Sequence, residues 1–167
     1  LASLEKVKMS QPTIDIQSIE KAHWSEQDKS NVKSVLDFVQ LIMNEHNFDQ
    51  VSKMFSGKPY VQHNRTMSDD IEGVLAALKD LTKRSPEFSY DVKHVFVDGD
   101  HVIVHSHATL FAKHRGDDTK GLNIIDTWKV VDGQPAEHWD AVQGLDVSMR
   151  LYGLFMGGKV KNGNGVF

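Results

Sequence analysis

From Val32 to Met43 apolar residues recur at intervals of three and four: Val32, Val35, Leu36, Val39, Ile42 and Met43, with His46 in line beyond them. That spacing makes one stripe of a long amphipathic helix. Ser25, with Asp28 three residues on, has the spacing of an N-terminal cap. Asn47 is placed to end this helix and cap a short second one carrying Phe48, Val51, Met54 and Phe55, before Gly57 and Pro59 break the pattern. Residues 60–64 read as a short extended piece. Ser68 is the expected cap of the next helix, whose buried face is Ile71, Val74, Leu75, Leu78 and Leu81 and which Ser85-Pro86 stops. The period then changes to two. Strands are expected over 88–97 and 101–113, followed by a hairpin over 122–146 that turns at Asp132-Gly133. Helices followed by strands predict an α+β fold, with N-terminal helices packed on one face of a strongly curved antiparallel sheet.

At 167 residues the chain suits one domain, expected over 25–146, with an N-terminal extension (1–24) and a C-terminal tail (147–167). The tail carries Leu151, Tyr152, Leu154, Phe155 and Met156. These are expected to dock on the body or on a second subunit, with the last few residues loose. A net charge of -4 gives no basic footprint, so nucleic acid is not an expected partner. Residues 1–11 lack a signal-peptide pattern, and nothing approaches a membrane span, so no membrane partner is expected. There is no cysteine, which removes thiolate nucleophiles and zinc–thiolate sites and fits a cytoplasmic location.

Candidate chemistry gathers in the hairpin. Alternation puts Ile124, Asp126, Trp128 and Val130 on one face of its first strand, and His138, Asp140 and Val142 on one face of the second. Aspartate is depleted in strands and costly to bury unpaired, so the pair Asp126 and Asp140 suggests a pocket; ordinary solvent-facing charges are the alternative. Two nearby carboxylates in a partly dry cavity cannot both ionise freely, which suits one of them to proton transfer. His63, in Gln62-His63-Asn64, is a further candidate, unless it merely bonds loop backbone. His105 and His107 share a strand face. They have metal-ligand spacing, but no following acid completes a cupin-type motif. No nucleophile elbow, phosphate loop or dinucleotide fingerprint is present.

Residues 60–64 (Tyr-Val-Gln-His-Asn), the run Val-Phe-Val-Asp-Gly-Asp-His-Val at 95–102, Ile125-Asp126-Thr127-Trp128 and Glu137-His138-Trp139-Asp140 resemble the SnoaL-like polyketide cyclase family of the nuclear transport factor 2-like superfamily. The similarity covers roughly residues 30–146. The closing Gly163-Asn164-Gly165-Val166-Phe167 resembles the tail of its aldol-condensing branch. The resemblance implies a cone-shaped α+β barrel with a pocket at its open end and a homodimer formed through the sheet. It also implies a cofactor-free and metal-free reaction on a small carbonyl or polyketide-like substrate. Asp140 would be the general base for an aldol closure, with Asp126 tuning it or relaying its proton. His63, Asn64 and His105 would donate to the oxyanion, and Tyr60, His107, Trp128 and His138 would contact substrate. Arg65 stands where this branch commonly has Pro, and Asp126 where antibiotic cyclases often have His. Two other readings stay open: a non-catalytic module binding a small apolar ligand, and a metal-dependent hydrolase using His105, His107 and Asp126.

Overall fold

The computed structural model describes residues 11–156 and 160–166. A single-turn helix α1 (Ile16–Ile19) precedes α2 (Glu26–Val39), whose last turn widens to π-helical over Gln40–Asn44. Ser25 and Asp28 form a full capping box at the start of α2, as their spacing predicts. His46, in line with the helical stripe, lies past the helix with φ +53° and ends it. Asn47 caps α3 (Phe48–Phe55), which leads into β1 (Val61–Gln62).

Helix α4 (Asp70–Arg84) is capped by Asp69, not Ser68. The Asp69 carboxylate accepts from both Asp70 N–H and Gln62 N–H, so it ties the helix start to β1, a link that Ser68 does not make. Strands β2 (Ser89–Asp98), β3 (His101–Thr109), β4 (Leu122–Val131) and β5 (Gln134–Gly144) follow, then α5 (Val147–Met156). Strand β3 is shorter than expected, because a 3₁₀ turn over Ala112–His114 replaces its far end. Asp132 and Gly133 both adopt positive φ, 50° and 74°, the requirement of a two-residue hairpin.

The sheet order is β1-β5-β4-β3-β2. All pairs are antiparallel except β1 with β5, so the sheet is mixed, and it stays open rather than closing into a barrel. Helices α2, α3 and α4 cover one face. Val35, Leu36, Phe38 and Val39 from α2 and Val74, Leu75 and Leu78 from α4 pack there against Val102, Val104, Ile124, Trp128 and Val130. Ile14, Ile16 and Ile19 pack partly buried against the same core. Leu151 and Leu154 of α5 are exposed, while the side chains of Tyr152, Phe155 and Met156 lie outside the described residues. Residues 161–165, expected to be loose, are hydrogen-bonded to the loop after β1. No described helix is long and apolar enough to cross a membrane.

Candidate active site

Register brings the two acids together. Asp126 of β4 pairs directly with Asp140 of β5, and Trp128 with His138. Strand β1 lies on the other side of β5 with Gln62 in register with His138. All these side chains point toward the helices, where a cavity of about 140 Å³ remains. Polar side chains from β1, β4, β5 and the residues flanking β1 line it (Tyr60, Gln62, Asn64, Asp126, His138 and Asp140), and Tyr90 of β2 lines it as well. Phe38, Ile42, Val74, Leu78, Phe88 and Ile124 supply much of the apolar wall.

His138 is held on both sides. Gln62 Oε1 accepts from Asn64 N–H at 2.7 Å, which identifies that atom as the carbonyl oxygen; it faces His138 Nδ1 at 3.1 Å. Nδ1 therefore carries a proton, and Nε2 meets Asp126 Oδ1 at 3.0 Å. One more proton lies between Nε2 and that carboxyl. The His138 ring stacks on Trp128 at 4.7 Å. Burial pushes the Asp126 carboxyl above its ordinary range; His138 opposes this and the charge of Asp140 adds to it. Asp126 Oδ2 is buried with no partner among the described residues, so it is an acceptor left open to a ligand.

Asp140 sits differently, only partly buried at the cavity edge. Asn64 Nδ2 donates to its Oδ2 at 2.6 Å. Asn64 cannot easily turn away, because its own Oδ1 accepts from Thr66 N–H at 3.0 Å and from Thr66 Oγ1 at 2.6 Å. The Tyr60 hydroxyl accepts from Trp128 Nε1 at 3.3 Å, which leaves its own proton free to donate. Burial holds that phenol protonated far beyond neutral pH.

Three sequence candidates lie elsewhere. His63 alternates with Gln62 and Asn64 and so faces outward. It stacks on Trp139 at 4.6 Å, meets Glu137 Oε1 at 2.9 Å and donates from Nδ1 to Gly165 O at 2.5 Å. His105 and His107 project from the opposite face of the sheet to Val102 and Val104, where His105 bonds Asn123 Oδ1 and His107 bonds Lys120 O. They do not meet Asp126, so the hydrolase set of His105, His107 and Asp126 is not assembled. Among the described residues, the group that could hold a cation is Asp126, His138 and Asp140, with one ligand atom from each lying within 4.8 Å of one another. A cation there would have to separate Nε2 from the carboxyl that it already satisfies.

Gln62 is a cavity-lining residue that sequence reasoning missed. Its signal was present: in 60–64 it shares a face with Tyr60 and Asn64. Tyr90 was missed too; it lines the cavity as the first inward residue of β2.

Comparison with solved structures finds the same architecture at low identity. A candidate polyketide cyclase from Bacillus cereus superposes with a TM-score of 0.58 at 18% identity, over 90% of this chain and 95% of that one. A candidate SnoaL-like polyketide cyclase from Jannaschia gives 0.55 at 17%, over 86% and 100%. A nuclear transport factor 2-like protein of unknown function from Mesorhizobium loti gives 0.54 at 15%, over 73% and 98%. No curated protein matches the chain. The SnoaL-like domain family matches residues 35–138, the span from α2 to the site histidine, and the chain belongs to that family.

Proposed function

We propose that this protein is a cofactor-independent enzyme that moves a proton at the carbon next to a carbonyl, as in aldol-type ring closure, with Asp140 as the general base. The observation that carries the reading is the unequal pair of carboxyls. Asp140, oriented by Asn64 and partly exposed, is the group we assign to take a proton. Asp126, buried and sharing a proton with His138, is placed to return one. Negative charge developing on the carbonyl oxygen would be met by the free Tyr60 O–H. His63 and His105 point away from the cavity and take no part.

The cavity of about 140 Å³ compares with the roughly 150 Å³ that encloses one benzene. A substrate of one ring or its acyclic equivalent fits it. The names of the solved neighbours support a carbonyl substrate without specifying which.

The test is hydrogen exchange of cyclohexanone in D₂O, followed by loss of its α-proton signals. Wild-type protein is expected to speed exchange by about 10²–10⁴ over buffer, the usual reach of a positioned base. Asp140→Asn should abolish the acceleration while leaving cyclohexanone affinity within a few fold. Cyclohexanone that binds and raises the melting temperature, but exchanges no faster than in buffer, would favour the ligand-binding reading. We also propose a homodimer through the outer sheet face, where Phe96 and Ile125 are exposed beside Ile103 and Trp139. Sedimentation of wild type against Ile125→Lys checks it, and a wild-type monomer would refute it.

A further inference from the structure

The loop that supplies Asn64, and the end of β1 that supplies Gln62, have little support from the sheet, since β1 is two residues long. Support comes from residues 161–165. Asn162, itself buried, donates from Nδ2 to both Asn64 O and Met67 O at 2.9 Å. Asn164 donates from Nδ2 to Gln62 O at 2.8 Å, and its own N–H is held by Asn162 Oδ1 at 3.1 Å. Lys161 N–H donates to Arg65 O at 2.8 Å, and Gly165 O receives His63 Nδ1. Every carbonyl from Gln62 to Met67 named here is satisfied by this segment.

We propose that Asn162 and Asn164 are positioning residues of the active site. They set the backbone of residues 62–67, and through it the two side-chain contacts that orient His138 and Asp140. A segment about a hundred positions away in sequence is thus part of the site's wall. The inference rests on the proposed roles of His138 and Asp140. Its chemistry is simple: a short strand and an Asx turn provide the acid–base pair with carboxamide partners, and two further carboxamides fix that turn from outside.

The experiment is imidazole ¹⁵N NMR on the full chain, with Asn162→Ala and Asn164→Ala compared with wild type. In wild type, His138 is expected as the Nδ1–H form. Each variant should lose that single form, populating the Nε2–H form as Gln62 loosens, and should speed exchange of the Asn64 amide. The His105 and His107 signals should stay in place. Unmoved His138 signals and Asn64 exchange alongside a lowered melting temperature would make the segment a brace only, and would overturn the proposal. A wild-type His138 without a proton on Nδ1 would instead refute the hydrogen-bond assignment under the proposed function, and Asn64 exchange would still report on the segment. Should neither variant fold, native hydrogen exchange on wild type decides. Lys161 and Asn64 amides that open together support the proposal. A Lys161 amide that opens freely while Asn64 stays protected overturns it.

Discussion

Replacing Gln62 by leucine removes one acceptor from two buried donors at once. The Gln62 side chain is fully buried, and its Oε1 serves Asn64 N–H at 2.7 Å and His138 Nδ1–H at 3.1 Å. Leucine fills similar space and accepts nothing. Each orphaned donor costs about 1–3 kcal/mol, so two cost about 2–6 kcal/mol. The added apolar burial offsets roughly 1 kcal/mol, leaving a net loss of about 1–5 kcal/mol. For a domain of this size each kcal/mol lowers the melting temperature by about 2–4 °C. Urea unfolding followed by tryptophan fluorescence measures the loss directly. The cycle with His138→Phe isolates the mechanism, because phenylalanine keeps a ring on Trp128 but needs no acceptor. In that background Gln62→Leu should cost about 1–3 kcal/mol less than in wild type, and that difference is the coupling between the two side chains. Equal costs in both backgrounds, or a loss below about 0.5 kcal/mol in wild type, would refute the claim that Gln62 acts through His138.

Asp126→Asn tests the buried acid by its pH dependence. Burial raises the folded carboxyl above its ordinary value near 3.8, so the folded chain keeps a proton that the unfolded chain releases. The stability from that proton is complete below the ordinary value and is lost as pH rises through the folded one. The variant lacks this loss, so its stability relative to wild type should increase across that window in urea titrations at successive pH; a flat difference would refute the assignment. Gly73→Ala should destabilise although alanine favours helix by about 1 kcal/mol. A Cβ there would lie 2.2 Å from Ser68 O, a backbone atom, and overpacking of this kind costs about 1–3 kcal/mol. A raised melting temperature would show that the loop before α4 yields. His105→Gln and His107→Gln, on the outer face, should leave cyclohexanone exchange unchanged, and a large loss in either would return those residues to the site.

Period and punctuation carried the fold. The stripe of α2, its capping box, the switch to period two and the Asp132-Gly133 turn are local effects, and each is present where the sequence places it. The two hairpin acids were legible for the same reason, since alternation along β4 and β5 needs no knowledge of the rest. The same rule applied to residues 60–64 and to β3 puts Gln62 inside and His63, His105 and His107 outside. Histidine's chemistry drew attention to those three where geometry pointed to their neighbour. Asp69 displaced Ser68 as a cap because it also bonds Gln62 N–H, a contact made only when β1 is in place. The hold of residues 161–165 on the β1 loop was beyond reach, because nothing local in Asn162 or Asn164 names a partner far back in the chain.

That long separation has a consequence for how the protein is made. Gln62 and Asn164 are 102 positions apart. At a synthesis rate of about 5–20 residues per second, the β1 loop emerges roughly 5–20 seconds before the segment that holds it. Within that interval β2 to β4 can pair, and β5, which ends at Gly144, has about 1–4 seconds to join them before Asn164 follows, with Gln62 and Asn64 still free to sample other arrangements. The site is thus completed seconds after the core that surrounds it, and an early-arriving apolar ligand would meet a nascent cavity whose polar end is not yet set.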